Sequence, residues 1–425
     1  MPLYYNITNM QKPKASIEIT SDSIKLLIGY EEDKKAVCVF TKEVPISGLV
    51  RNGNVVDENG LTEVLKTLHS PIIDEKKRLS VTVNEVGFVL PNMYFRALSK
   101  SESINTIDTN NEVSRQDITN VITLVKKSTL PPEFDNFQII DIVPESFILD
   151  GGRRFPDPPL KQNSSSLRLD AFIHVLPSDI YTNYINAIQN AGFRTTKVAA
   201  SAYCNSIYFS SLDNVPSNYL LLDIGAKLTS LSLIGQGKPY QSLCIHFGGD
   251  YLIAAVSAQT GLDYQVAEKL IHDYGYDLRK RVFSRPIYSD SNSGISLAQK
   301  DLNGILLKEF NDRANLFQDA YKTLEKLGDI SGLPVLMTGG GSRLFGIEIL
   351  LKSILSGKSF YPINPSAIGA RNPSYSSLLG MTLLQSRYLG SLQDNFVNCA
   401  NITREEPPVK RTRKETRGSK DDEIL

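Results

Sequence analysis

The chain has 425 residues, 41% hydrophobic and 22% charged, an ordinary globular composition with length for roughly two to four domains. Lysine plus arginine and aspartate plus glutamate each total 46, so no summed field favours nucleic acid or an anionic membrane, and only local patches can argue for such partners. The four cysteines, Cys38, Cys204, Cys244 and Cys399, stand far apart without a C-x-x-C pair. That argues against a zinc site or a disulfide framework, and with no signal peptide and no apolar run near the roughly 18 residues of a spanning helix, a cytoplasmic protein is expected.

In chain order, ASIEITSDSIKLLIGY reads as strand, polar turn and strand, and KKAVCVFTKEVP adds a third strand to an antiparallel meander. LTEVLKTLHSPI places Leu61, Val64, Leu65 and Leu68 on one helical face, and RLSVTVNEVGFVL returns to strand periodicity. From about 80 to 176 the chain reads as its own unit. It has a helix over SRQDITNVITLVKK opened by Ser114 as N-cap, strands at FQIIDIVPESFIL and LRLDAFIHVLP, and the proline-rich loop FPDPPLKQNSSS. About 200 residues after the first meander, YLLLDIGAKLTSLSLIGQGKPYQSLCIHFGG repeats its outline, and helices follow at GDYLIAAVSAQ and YQVAEKLIHDYG. Two such meanders predict a pseudo-duplicated α/β architecture. A long helical stretch near 297–327 leads into the strand of LPVLMTGGGSRL. After about 392 the apolar pattern is lost, and a tail rich in charge and proline cannot bury enough surface to offset its ordering entropy.

The chemistry concentrates at three turns. A carboxylate at a strand end, followed by small residues with converging amides, can hold a phosphate and a magnesium ion together. Asp223 with Gly225 fits that description, and Glu18, followed by Thr20, Ser21 and Asp22, stands at the corresponding place in the first meander. The third turn sets Gly339, Gly340, Gly341 and Ser342 between a strand and a helical pattern, where backbone can approach a nucleotide closely. Each feature has a plainer reading: Asp223 as a turn cap, the glycines as a helix start, Lys227 as a solvated turn residue. His69, His174, His246 and His272 are dispersed, without a partner at metal spacing, and read as packed or surface residues.

Taken in order, these motifs resemble those of the actin-like ATPase superfamily, and within it the FtsA family of bacterial cell-division proteins, over roughly residues 14–392. IEITSDSIKLLIG is similar to the first phosphate motif, ISGLVRNGNVVD and IVPESFILDG to two further segments, VLMTGGGSRLFGI to the adenosine motif, and PSYSSLLGMTLL to the final helix. The resemblance implies an α/β, ribonuclease H-like fold of two lobes with an inserted α+β subdomain. Its parts are the first lobe over 14–79 and 177–215, the insertion over 80–176, the second-lobe core over 216–249 and 329–392, its outer subdomain over 250–328, and a disordered charged tail over 393–425.

It also implies ATP and Mg2+ as ligands, with Glu18 and Asp223 placing the metal, Ser21 and Gly225 near the phosphates, and Gly339, Gly340, Gly341 and Ser342 at the adenosine. Glu268 falls where the family has an acid on the adenine side. The second phosphate motif departs from D-I-G-G-G-T-x-D, reading Asp223, Ile224, Gly225, Ala226, Lys227, Leu228, Thr229, Ser230. Side chains added to such a cradle can block close backbone approach, while Lys227 could reach a phosphate in place of lost amides. At most slow ATP turnover is expected. Implied partners are FtsZ, met through Arg279, Lys280, Arg281 and Arg285, other division proteins, and further copies of the chain head to tail. A charge run is also simply a solvated face. The ending KRTRKETRGSKDDEIL carries Ile424 and Leu425 as its bulky aliphatics, so it does not match the family's amphipathic anchor, and membrane contact is expected to be weak or indirect. Competing readings are a pilus-assembly-type scaffold of the same fold, a nucleotide-free protein platform, and a small-molecule kinase, for which no catalytic base stands out.

Overall fold

The computed structural model describes residues 13–74, 79–108, 110–291, 294–392 and 400–404. The first meander forms from β1 (Lys14–Ile19), β2 (Ser23–Glu32) and β3 (Lys35–Pro45), paired antiparallel. A short hairpin, β4 (Val50–Arg51) and β5 (Asn54–Val55), leads to α1 (Glu58–His69). The Asp57 carboxylate accepts the Gly60 amide at 2.8 Å, satisfying one free donor of the first turn. Leu61, Leu65 and Leu68 face the core, as their spacing predicts, while Val64 is half-buried. β6 (Ile72–Asp74) and β7 (Leu79–Val83) pair antiparallel, and β8 (Glu85–Leu90) joins β1 in parallel.

A separate α+β unit with its own core follows: β9 (Arg96–Asn105), α2 (Arg115–Lys126), β10 (Phe137–Leu149), β11 (Arg153–Phe155) and β12 (Ser166–Pro177). The sequence reading begins this insertion at 80, whereas β8 belongs to the first sheet and the unit's own strands start at Arg96. Ser114 caps α2 with a reciprocal box: its hydroxyl accepts the Asp117 amide at 3.2 Å, and the Asp117 carboxylate accepts the Ser114 amide at 2.9 Å. Ile118, Val121 and Val125 then pack on the alternate residues Leu167, Leu169, Ala171 and Ile173 of the central strand β12.

The chain returns through α3 (Ser178–Asn190), β13 (Arg194–Ala200) and α4 (Ser201–Phe209). β13 pairs parallel with β8 and completes a five-stranded sheet ordered β13-β8-β1-β2-β3. The second meander is β14 (Tyr219–Ile224), β15 (Thr229–Gly235) and β16 (Lys238–Ile245). The outer part of this lobe carries α5 (Gly249–Thr260), α6 (Tyr264–Tyr274), α7 (Lys280–Phe283), the hairpin β17 (Pro286–Asp290) and β18 (Ile295–Ala298), α8 (Gln299–Asp312) and α9 (Ala314–Glu325). The long helical pattern is thus two helices preceded by a strand, broken at Arg313, whose φ of −111° and ψ of 8° leave the helical region.

β19 (Val335–Thr338) lies parallel to β14, and α10 (Ile347–Ile354), β20 (Phe360–Pro362) and α11 (Ser376–Leu392) follow. α11 and α4 form a buried layer between the lobes, and a Cβ on Gly380 would collide with the Cys204 carbonyl, so glycine sets how closely they approach. Finally, β21 (Ala400–Arg404) pairs antiparallel with β7. This departs from the expected structureless tail over 393–425: the open edge of β7 carries unpaired amides and carbonyls, which an extended segment can satisfy through its backbone whatever its charge balance. The remainder of that tail, and with it the expectation of a missing membrane anchor, lies outside the described residues. Among the described residues no helix is long and apolar enough to cross a membrane.

Candidate functional site

The C-terminal ends of β1, β14 and β19 meet at a cleft of about 440 Å³ between the lobes. The three turns that follow these strands line it with Glu18, Ser21, Asp223, Gly225, Gly339, Gly340 and Gly341, and Glu268 lines it from α6. Ser342 is adjacent but buried, its hydroxyl donating to the Gly339 carbonyl at 2.7 Å. Lys227 is not among the lining residues, though its charge is felt by Asp250, which is.

The glycines of the third turn do different jobs. Gly339 has φ +82°, and a Cβ there would collide with the Asp223 carboxylate; one on Gly341 would collide with the Ile224 side chain. Gly340 has open space where its Cβ would stand. The outer two are therefore required for packing against β14, and the middle one leaves the cleft wall bare.

The second turn is closed by the Gly225 amide donating to the Leu228 carbonyl at 2.9 Å. It is held from outside by the Gly249 amide on the Gly225 carbonyl at 3.0 Å and the Asp250 amide on the Ala226 carbonyl at 2.8 Å. Gly248 permits this approach, since its Cβ would strike the Ala226 carbonyl. Leu228 lines the cleft and packs against the first-lobe core. In the first turn Thr20 spends its hydroxyl locally, accepting the Ser23 amide at 3.1 Å and lying 2.7 Å from the Asp22 carboxylate.

Burial pushes the Glu18 carboxyl up to about 7, with the Asp223 charge adding to the rise and Lys25 opposing it. Burial likewise raises Asp223, against the attraction of Lys25 and hydrogen bonds from Ser201 and Asn205, both at 3.4 Å. Near α5 and α6, Asp250 is raised by burial and by the charges of Asp22 and Glu268. The cleft therefore holds more carboxylate than its own cations neutralise.

Lys25, Asn92, Ser201 and Asn205 are lining residues that the motif reading did not single out. Lys25 stands opposite Glu18 in the β1–β2 ladder with its side chain buried, 3.9 Å from Glu43. A lone lysine inside the apolar strand SIKLLIGY was the available signal. Asn92 ties three elements together: its Oδ1 accepts the Ala202 amide at 2.6 Å, and its Nδ2 donates to Ser230 Oγ at 3.1 Å.

The basic cluster lies in the outer part of the second lobe. Arg279 forms an ion pair with Asp277 and lies over the Phe345 ring at 5.4 Å. Arg279 and Arg285 line a second groove of about 410 Å³ together with Tyr274, Val282 and Phe345, while Lys280 and Arg281 lie on α7. Among the dispersed histidines, His174 is fully buried between Phe95 and Tyr203 and pushed down to about 3 by burial, and His69 packs edge-on against Phe193. Among the described residues no group of three or more histidine, cysteine, aspartate or glutamate side chains could hold a metal ion by itself.

No family model matches the chain. It is similar in sequence to the cell division protein FtsA of Staphylococcus epidermidis, 24% identical over 374 residues, which is 86% of this chain and 77% of that protein. FtsA of Bacillus subtilis is 19% identical over 372 residues, 86% of this chain and 82% of that protein. In structure it is similar to MreB5 of Spiroplasma citri bound to ADP, with a TM-score of 0.53 at 12% identity, covering 91% of this chain and 99% of the other. The PilM-PilN type IV pilus biogenesis complex matches with a TM-score of 0.52 at 17% identity, covering 88% and 98%. The chain is an actin-like ATPase-fold protein whose sequence resembles cell division protein FtsA over most of its length.

Proposed function

We propose that the chain is an FtsA-like component of the bacterial division apparatus that binds FtsZ, associates with further copies of itself and other division proteins, and uses ATP with Mg2+ as a structural ligand. The observation that carries this reading is the convergence of three turns, in FtsA order, on one cleft. Glu18 and Asp223 both line the cleft as part-buried carboxylates raised by desolvation, and the Asp223 charge adds to the rise of Glu18, the situation a divalent cation relieves. Two carboxylates are too few for a protein-only site, which suits Mg2+ arriving with nucleotide phosphates as its remaining ligands. Lys25 would offset phosphate charge, Ser21 and Gly225 would approach the phosphates, and the bare wall at Gly340 would meet the adenosine. On this reading the protein acts on the inner face of the membrane at the division site, and the groove of Arg279, Arg285 and Phe345 receives the FtsZ tail through cationic and aromatic contact.

A second reading, a platform that binds no nucleotide, is favoured by Thr20 where the family's first motif has a glycine and by Ala226, Lys227 and Leu228 where its second motif reads G-G-T. Thermal unfolding with Mg2+ and ATP separates the two, because a ligand at 100 times its Kd stabilises by about 2.7 kcal/mol. A shift that disappears in Asp223→Ala supports the nucleotide reading; no shift at millimolar ATP overturns it and leaves the platform. In the same titration Lys227→Gly weakens ATP if Lys227 reaches a phosphate and strengthens it if Lys227 obstructs the turn. Direct titration with the isolated FtsZ tail tests the partner, and absence of binding that survives high protein concentration removes FtsZ from the proposal.

A further inference from the structure

The inserted subdomain belongs to the first lobe by chain connection, yet its strands are continuous with the sheet of the second lobe. β9 pairs with β16 through Arg96 and Gln241, joining both units in one nine-stranded sheet ordered β11-β10-β12-β9-β16-β15-β14-β19-β20. The Ser242 amide donates to the Phe95 carbonyl at 3.2 Å, and the Gln241 side-chain oxygen, turned toward Arg96, accepts its guanidinium at 2.9 and 3.2 Å. Phe172 meets Tyr240 edge to face at 5.4 Å, and Lys238 lies 3.6 Å from Glu145 and over the Phe172 ring.

The junction with the first lobe is built differently. There Asp141 of β10 and Lys197 of β13 form an ion pair buried on both sides, and Leu176 belongs to the first-lobe core. Separating the buried pair strands two charges away from water, whereas the β16 junction rests on one strand bridge, neutral or part-exposed hydrogen bonds, a ring contact and a part-exposed ion pair, none of which leaves a buried charge unpaired when it parts. Of the two junctions, the one at β16 is therefore the less costly to part.

β16 also reaches the cleft. It pairs along its length with β15, whose first residue follows the second turn, and the residues after it, Phe247 to Asp250, hold that turn: Thr229 Oγ1 donates to the Phe247 carbonyl at 2.8 Å, beside the two amide bonds from Gly249 and Asp250. We propose that the inserted subdomain is a splint between the lobes, firmly seated on the first and reversibly docked on β16, and that its docking sets the order of the turn at residues 225–228. A partner gripping the inserted subdomain then changes the cleft, and a ligand in the cleft changes what the subdomain presents, by the same coupling free energy.

Hydrogen exchange on the free full-length chain tests this without any ligand, so its outcome is separate from that of the ATP titration. In Tyr240→Ala, amides of 225–229 and 248–251 should exchange about tenfold faster or more, together with those of 238–243, while β1 to β3 are unchanged and Tyr240→Phe behaves as wild type. Acceleration confined to 238–243 overturns the proposal. Lys238→Glu opposes Glu145 at the half-exposed rim and leaves the core intact, so it serves if Tyr240→Ala fails to fold. The same pattern is expected of it, and wild-type exchange at 225–229 in that variant also overturns the proposal.

Discussion

Glu18→Gln reports directly on the electrostatics of the cleft. The folded protein holds this carboxyl at about 7, against an ordinary value of 4.5, so it binds a proton more tightly than the unfolded chain does. Stability from this group is therefore fully present below 4.5, declines as pH rises from 4.5 to about 7, and is level above that. At about 1.4 kcal/mol for each tenfold change in proton affinity, the charged form is disfavoured by up to ~3 kcal/mol, and discounting for its partial solvent contact leaves roughly 1–3 kcal/mol. Glutamine keeps the shape and removes the charge, while Lys25 retains Glu43 and the Asp223 charge as neighbours. In urea unfolding without nucleotide, the variant should equal wild type at pH 4.5 and exceed it by roughly 1–3 kcal/mol at pH 8. A variant equal to or less stable than wild type at pH 8 refutes the claim that burial and Asp223 strain this carboxylate. The proposed site adds a reversal: Mg2+ with ATP should stabilise wild type more than the variant, because the cation that relieves Glu18 loses one ligand.

The paired glycine variants should separate structure from ligand contact. Gly339→Ala, at φ +82° and in collision with Asp223, should lose about 1–3 kcal/mol in chemical denaturation, whereas Gly340→Ala, with open space, should stay within ~1 kcal/mol yet weaken ATP in the thermal titration. Lys197→Met leaves Asp141 buried without its cation and should cost about 3–5 kcal/mol, while Lys197→Met with Asp141→Leu should recover most of that loss; equal losses in the two proteins would contradict a buried pair. Gly380→Ala pushes α11 off α4 against the Cys204 carbonyl and should cost about 1–3 kcal/mol, measured as a lower unfolding midpoint.

Local physics was legible in the sequence. Short apolar runs separated by polar turns in IEITSDSIKLLIG and YLLLDIGAKLTSLSLIG predict both meanders because strands buried on both faces read as such runs, and Ser114 announces α2 because an N-cap is a contact between neighbours. The three turns were visible for the same reason: a carboxylate or a glycine run directly after a strand is a short-range pattern. What only the tertiary structure decided depends on residues far apart in the chain. Lys25 becomes a cleft residue only when β14 brings Asp223 beside Glu18, and Asn92 matters only because α4 and β15 meet it. The glycine pattern could not say that Gly339 and Gly341 answer to Asp223 and Ile224 respectively while Gly340 faces open space. Nor could periodicity reveal that Ala400–Arg404 would find the open edge of β7, or that β9 would join β16, since a strand's pairing partner is chosen by the geometry of available edges and not by its own residues. Side-chain spacing determined the elements; the burial of charge and the pairing of edges, which need the assembled chain, determined the cleft.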